Sequence, residues 1–124
     1  MGKLKQIVVD CRQPVALASF WAAVLDDFEV RAYDEEEINR LASIGRTPAT
    51  DPCVLIDGPT LEFCFQEVVH RFVGARVFHV DIEVQNRSAE ASRLILMGAS
   101  VVEQFDDHTW MRDPEGNDFC LTDP

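Results

Sequence analysis

The sequence predicts an α+β fold built from two similar halves. Residues 6–30 and 79–103 each have the pattern of a strand, an amphipathic helix and a second strand. The copies align Gln6 with His79, an offset of 73 residues. A small duplicated half usually buries apolar surface against its twin, so the junction between the halves is a natural place for a binding site.

Local signals define the individual elements. Pro14 stands in the opening turn of the first helix, where its missing N–H group costs nothing. The helix of the second half is predicted to begin at Ser88, a good N-cap, and to end before Gly98. The predicted strands lie near residues 5–11, 28–33, 53–57, 60–68, 76–84, 100–105, 108–112 and 117–122, and the predicted helices near residues 14–25, 35–44 and 88–97.

Residues 34–52 have no counterpart in the second half. This segment begins with the acidic run DEEE and ends with TPATDP. Such a polar connection predicts an exposed acidic insertion on the protein surface. A lid that covers a site is the alternative interpretation of a connection of this length.

The composition is typical of one globular domain. The chain has 124 residues, of which 47% are hydrophobic and 27% charged, which argues against disorder. It contains no apolar run near the roughly 20 residues that a membrane helix needs. The N-terminus leads directly into a strand, unlike a signal peptide, so we expect a cytoplasmic protein. The predicted domain spans residues 1–124, with modules of about 1–68 and 76–124.

The charge of the chain restricts its partners. A formal net charge of −11 argues against DNA or RNA, since a polyanion would be repelled. It favours cationic ligands and metal ions. An acidic surface that serves only solubility is the alternative.

The four cysteines show no close pairing in the sequence, and we expect them to be reduced. Cys11 and Cys53 fall in predicted strands, where a thiol packs as a small apolar group, so both are predicted to lie in the core. Cys64 and Cys120 fall in strands too, but on the face described next.

Alternation in four strands predicts a polar sheet face opposite the helices, because successive strand residues point to opposite sides. The apolar members of each strand must face the helices. A face that is merely solvated would give the same pattern. The polar side chains predicted for this face are Gln6 and Asp10, then Glu62, Cys64 and Gln66, then His79, Asp81 and Glu83, and finally Asp118, Cys120 and Thr122.

Several segments together resemble a known superfamily. They are DCRQPVALASFWAAVL, FHVDIEV with the following helix that ends in LMGASVV, and WMRDPEGNDFCL, which contains a D-P-x-G-N turn. The chain resembles the vicinal oxygen chelate superfamily of glyoxalases, bleomycin-resistance proteins and dioxygenases, and within it the short glyoxalase-like domains. The resemblance implies two tandem βαβββ modules that form a curved mixed-sheet cup with helices on the outer face. It also implies a homodimer.

The resemblance further implies a site for one divalent metal ion. Metal-dependent members take a ligand from the first and the last strand of each module, which here gives Gln6, Glu62, His79 and Cys120. Cys120 departs from the usual carboxylate. A thiolate suits Zn, whereas Ni, Mn or Fe favours nitrogen and oxygen ligands, so this cysteine puts metal binding in doubt.

Two classes of function follow. The favoured hypothesis is a binding protein that holds an unidentified small molecule in the cup without a firmly bound metal, as drug-sequestering relatives do. Its ligand-binding residues would be Asp10, Gln66, Asp81 and Trp110, and the aromatic surface of Trp110 suits a planar cation.

The alternative hypothesis is a lyase or isomerase that acts on a small metabolite. A bound metal would polarise substrate oxygens while Glu62 moves a proton. A third arrangement needs no metal: His79 beside Glu62 would form an acid–base pair, and the carboxylate would raise the imidazole pKa. Glu62 and His79 are therefore the predicted catalytic residues, and the sequence leaves open whether the protein is an enzyme.

Overall fold

The computed structural model of the protein describes residues 6–68 and 80–124. In these two ranges the chain forms eight β-strands, three α-helices and one 3-10 turn. It divides into two compact units, Met1–Arg71 and Phe72–Pro124, so that each unit holds one copy of the sequence repeat. None of the helices in the described ranges is long and apolar enough to cross a lipid bilayer.

The first unit contains a four-stranded mixed sheet in the order β1-β4-β3-β2. β1 runs parallel to β4, and the other neighbours are antiparallel. β2 is shorter than predicted, because only two of its residues pair with β3 before the chain turns towards α2. The elements are β1 (Gln6–Cys11), α1 (Pro14–Val24), β2 (Glu29–Val30), α2 (Glu35–Ser43), the 3-10 turn (Pro48–Thr50), β3 (Cys53–Asp57) and β4 (Glu62–Glu67).

The second unit repeats this arrangement with the sheet order β5-β8-β7-β6. β5 is again parallel to its neighbour β8, and β6, β7 and β8 are antiparallel. The predicted α+β fold of two tandem βαβββ modules is thereby confirmed. The elements are β5 (Val80–Glu83), α3 (Arg87–Leu96), β6 (Ser100–Gln104), β7 (His108–Arg112) and β8 (Asp118–Thr122).

In each unit a helix covers one sheet face with apolar side chains. α1 packs against β3 and β4, and α3 packs against β6, β7 and β8. This burial removes apolar surface from water and is the main force that holds each helix on its sheet. The largest fully buried side chains are Cys11, Leu17, Leu41, Ile56 and Phe65 in the first unit and Leu94, Met111, Phe119 and Leu121 in the second.

The predicted start of α3 is wrong, whereas its predicted end is confirmed. The predicted N-cap, Ser88, is wrong: α3 begins at Arg87, and the Asn86 side chain accepts a hydrogen bond from the Ala89 N–H at 2.9 Å. Asparagine caps as well as serine, and it comes first after the strand. The predicted end is confirmed, since Gly98 adopts a φ of 104°, which favours glycine.

The insertion of residues 34–52 is only partly exposed. The acidic first turn of α2 is open to solvent, as predicted, but Leu41 is fully buried and Asp51 is 3% exposed. Tyr33 donates a hydrogen bond to Asp51 at 2.6 Å. Burial and this hydrogen bond raise the pKa of Tyr33 above its ordinary value. The prediction of an exposed insertion is wrong for Leu41 and Asp51, because Leu41 is the one side chain of α2 that packs inward and the Asp51 carboxylate accepts from Tyr33 and from the Cys53 N–H. The lid remains a prediction.

Candidate functional site

The parallel pair of strands in the first unit brings together predicted site residues. β1 and β4 pair so that Gln6 lies beside Glu62 and Asp10 beside Gln66. Phe65, one residue before Gln66, is buried under the helix, while Asp10 and Gln66 are exposed on the opposite face. Alternation in the sequence therefore placed these four polar residues on the correct face.

Glu62 already has a cationic partner that the sequence analysis missed. Arg31 donates to the Glu62 carboxylate and to both carboxylate oxygens of Asp57, at 2.9 and 2.5 Å. The hydrogen bond to Asp57, the largest contributor, and the one to Glu62 raise the pKa of the Arg31 guanidinium. The hydrogen bond from Arg31 in turn lowers the pKa of the Asp57 carboxyl group. Arg31 follows β2, the edge strand, and Asp57 lies opposite Glu62 in the β3–β4 hairpin. Arg31 is thus shared between two carboxylates, and it occupies one oxygen of Glu62.

The ion pair between Arg31 and Glu62 affects whether Glu62 can bind the implied metal ion. A divalent cation at Glu62 would lie next to the Arg31 guanidinium, and like charges repel. Gln6 and Glu62, as they stand, do not fit a metal ion. The predicted ligand His79 lies outside the described residues. Within residues 6–68 and 80–124, no group of three or more His, Cys, Asp or Glu side chains is placed to hold a metal.

The polar face of the second sheet carries a tryptophan held in place by a carboxylate. The Trp110 indole N–H donates to Asp118 at 2.7 Å, and Arg112 donates to the same oxygen at 3.3 Å. The Arg112 guanidinium lies over the Trp110 ring, 5.6 Å from its centroid. The Asp118 side chain is only 10% exposed, whereas the Arg112 side chain is 45% exposed. The ring of Trp110 is therefore a surface that already accepts a cation.

Strand pairing also places the other predicted residues of this face. Cys120 of β8 pairs with Asp81 of β5 on one side and with Trp110 of β7 on the other. The predicted ligand-binding residues Asp81 and Trp110 and the predicted metal ligand Cys120 thus share one region of the second sheet. Their roles remain predictions.

The strand register identifies Asp118 as a further candidate. Ile7 and Val80 correspond in the repeat; Ile7 pairs with Phe63, and Val80 pairs with Phe119. The residue of β8 that corresponds to Glu62 is therefore Asp118, whereas the resemblance points to Cys120, two residues further on. Asp118 was on the predicted polar face, and its position directly before a phenylalanine, as in Glu62–Phe63, was the signal available in the sequence.

The predictions for the cysteines have mixed outcomes. Cys11 is fully buried, as predicted, but Cys53 is exposed. Val54 and Ile56 occupy the helix face of β3, so Cys53 must lie on the polar face. Its sulfur is 2.7 Å from that of Cys64. Burial, followed by the contact with Cys53, raises the pKa of the Cys64 thiol to about 12.

Replacing Arg31 with methionine is expected to destabilise the protein slightly, and more at a pH where Asp57 is ionised than at a pH where Asp57 is protonated. Because the folded-state pKa of Asp57 is lowered, the ion pair stabilises the fold above the unfolded-state pKa. This stabilisation disappears as the pH falls through the folded-state pKa. Arg31 and Asp57 are 47% and 45% exposed, so the loss at neutral pH should be about 0.5–1 kcal/mol.

Urea unfolding from neutral pH down to about pH 3 measures this effect. Asp57→Asn and the double variant complete a cycle that isolates the pairwise energy. A stability difference between wild type and Arg31→Met that stays constant over this pH range would contradict the assignment.

The family of the protein follows from a match over almost its whole length. The model of the glyoxalase-like domain matches residues 6–122, which includes both βαβββ units. The chain belongs to the glyoxalase-like domain family. The family match agrees with the resemblance seen in the sequence motifs. A search of curated protein sequences finds no significant match to this glyoxalase-like protein.

Solved structures show the same fold at low sequence identity. A glyoxalase/bleomycin resistance protein from Albidiferax ferrireducens T118 is 14% identical, with a TM-score of 0.61 and 98% of both chains covered. A glyoxalase/bleomycin resistance protein/dioxygenase family enzyme from Burkholderia phytofirmans PsJN is 18% identical, with a TM-score of 0.67 and 98% of both chains covered. The trypanothione-dependent glyoxalase I of Leishmania major is 15% identical, with a TM-score of 0.64 over 99% of this chain and 87% of that enzyme. At these identities the likeness establishes the fold alone.

Proposed function

We propose that this glyoxalase-like protein binds a small planar cation on the polar sheet face of its second unit, without a firmly bound metal. The observation that carries the proposal is the Trp110 ring, which is held by Asp118 and covered by the Arg112 guanidinium. A cationic ligand would take the place of this guanidinium. The Arg112 side chain is 45% exposed, so it can move into solvent when a ligand stacks on the ring.

Charge supports the same class of ligand. Asp118 lies at the edge of the Trp110 ring, and Asp81 is exposed on β5 beside Cys120. Carboxylates near a stacked cation offset its charge, and the net charge of −11 raises the local concentration of cations. A cation on the face of a tryptophan contributes about 0.5–2 kcal/mol, equivalent to a factor of about 2–30 in affinity.

Trp110→Leu is expected to weaken binding of the planar cation 9-aminoacridine about tenfold, because leucine keeps apolar surface but loses the aromatic face. Calorimetric titration measures the affinity. Trp21→Phe is the matched control, since Trp21 is buried in α1 of the first unit and should leave the affinity unchanged. Acridine, which has the same ring system but is neutral at mildly alkaline pH, should bind more weakly. Equal affinity of wild type and Trp110→Leu would overturn the proposal.

The alternative function is a metal-dependent lyase or isomerase that uses Gln6, Glu62, His79 and Cys120. The adjacency of Gln6 and Glu62 in β1 and β4 favours it. It requires Glu62 to exchange Arg31 for a metal ion. Elemental mass spectrometry after incubation with Zn, Ni, Mn and Fe separates the two functions: a stoichiometric ion that is lost in both Glu62→Ala and His79→Ala would favour the enzyme.

We also infer a homodimer and a cytoplasmic location, both of which rest on sequence reasoning. The homodimer is supported by the family resemblance. Sedimentation equilibrium of the purified protein measures its mass in solution, and a strictly monomeric mass would exclude the dimer.

A further inference from the structure

Two cysteines of neighbouring strands lie in contact on the polar face of the first sheet. Cys53 of β3 is opposite Gln66, and Cys64 of β4 is opposite Leu55, so the two cysteines are diagonal neighbours on one face. Their sulfur atoms are 2.7 Å apart. A disulfide bond is about 2.05 Å long, so the two sulfur atoms are within about 0.7 Å of bonding distance.

The two thiols differ in their access to solvent. Cys53 is exposed, whereas Cys64 is 5% exposed and its thiol has a raised pKa. The Cys53 backbone N–H donates to Asp51 at 2.9 Å, which holds the start of β3 in place. An oxidant from solvent therefore reaches Cys53 first, and Cys64 is positioned behind it as the second thiol.

We propose that Cys53 and Cys64 form a redox modification site, which a peroxide converts into an intramolecular cross-strand disulfide. The Cys53 thiolate attacks one peroxide oxygen, the O–O bond breaks, and Cys53 becomes a sulfenic acid, while the hydroxide that leaves takes up the proton lost by the thiol and becomes water. The Cys64 sulfur then attacks the Cys53 sulfur, and the S–O bond breaks as water leaves with the Cys64 proton. Overall, two thiols and one hydrogen peroxide give one disulfide and two waters. A small thiol reductant reverses the reaction by exchange.

The disulfide would lie within the polar face of the first sheet. Cys64 is two residues from both Glu62 and Gln66, and all three side chains share one side of β4. Oxidation would therefore fix the spacing of β3 and β4 next to these residues. The site depends on the strand register alone and is independent of the proposed cation binding.

Oxidation of the reduced full-length protein with stoichiometric hydrogen peroxide tests the proposal. The intact mass should fall by about 2 Da, because two hydrogens are removed. The number of thiols that can be alkylated after denaturation should fall from four to two. Cleavage after Glu62 separates the two cysteines in the sequence, so the resulting fragments should remain joined until a reductant is added.

Single variants identify the order of the steps. Cys64→Ser should stop at a sulfenic acid on Cys53, which dimedone traps, and Cys53→Ser should show no fast reaction. Cys120→Ser is the matched control and should form the disulfide as wild type does. Far-UV circular dichroism checks each fold, and Cys64→Ala replaces Cys64→Ser if the hydroxyl disrupts β4. Four alkylatable thiols after oxidation, a disulfide to Cys11 or Cys120, or a link between two chains would overturn the proposal.

Discussion

Replacing Phe119 with alanine is expected to lower the free energy of unfolding by about 3–5 kcal/mol. Phe119 lies in β8, is fully buried, and pairs with Val80 of β5 and Met111 of β7. Truncation to alanine removes the apolar ring from the core under α3 and leaves a cavity that the surrounding sheet can close only in part.

Urea unfolding followed by circular dichroism measures this loss. Phe105→Ala is the matched control, because Phe105 is 39% exposed and contacts the His108 ring at the surface. It should cost less than about 1 kcal/mol. Equal losses for the two variants would show that Phe119 is not a core residue of the second unit.

Replacing Asp113 with alanine is expected to lower the free energy of unfolding by about 2–4 kcal/mol, because three part-buried hydrogen-bond donors lose their charged acceptor. Asp113 is 3% exposed at the turn before β8. One carboxylate oxygen accepts from the N–H groups of Glu115 and Asn117, both at 2.9 Å, and the other accepts from the Asn117 side chain at 2.7 Å. The turn positions the strand that carries Asp118.

Asp113→Asn is an intermediate variant. Its amide oxygen still accepts hydrogen bonds, but its NH2 group cannot accept one from the Asn117 side chain. It should cost less than Asp113→Ala. Asp106→Ala, at an exposed position of the β6–β7 turn, should change the stability by less than about 0.5 kcal/mol. If Asp113→Ala were as stable as wild type in urea unfolding, the turn would not depend on this carboxylate.

Periodicity predicted the strands and their faces because those features depend on local sequence. The alternation of Phe63 and Phe65 with Glu62 and Gln66 requires no knowledge of the neighbouring strands. Cys53 was predicted on the wrong face because a cysteine occurs in both buried and exposed positions. Val54 and Ile56 of the same strand are buried, and their alternation with Cys53 places Cys53 on the polar face.

The contacts of the candidate sites depend on strand register, which local sequence does not determine. Arg31 reaches Glu62 only because the β3–β4 hairpin places Asp57 opposite Glu62. The pairing of β7 with β8 likewise brings Trp110 close to Asp118, eight residues away in the sequence. Such pairs are set by turn geometry and packing across the whole sheet, so the sequence predicted the residue types but not their partners.

The most direct test of cation binding is to follow the two tryptophan indole N–H signals by NMR during a titration with 9-aminoacridine. Trp110 lies on the polar face of β7, and Trp21 lies in α1 of the other unit. We expect a saturable shift of the Trp110 signal while the Trp21 signal stays in place. Saturable binding that leaves the Trp110 signal unchanged would contradict it.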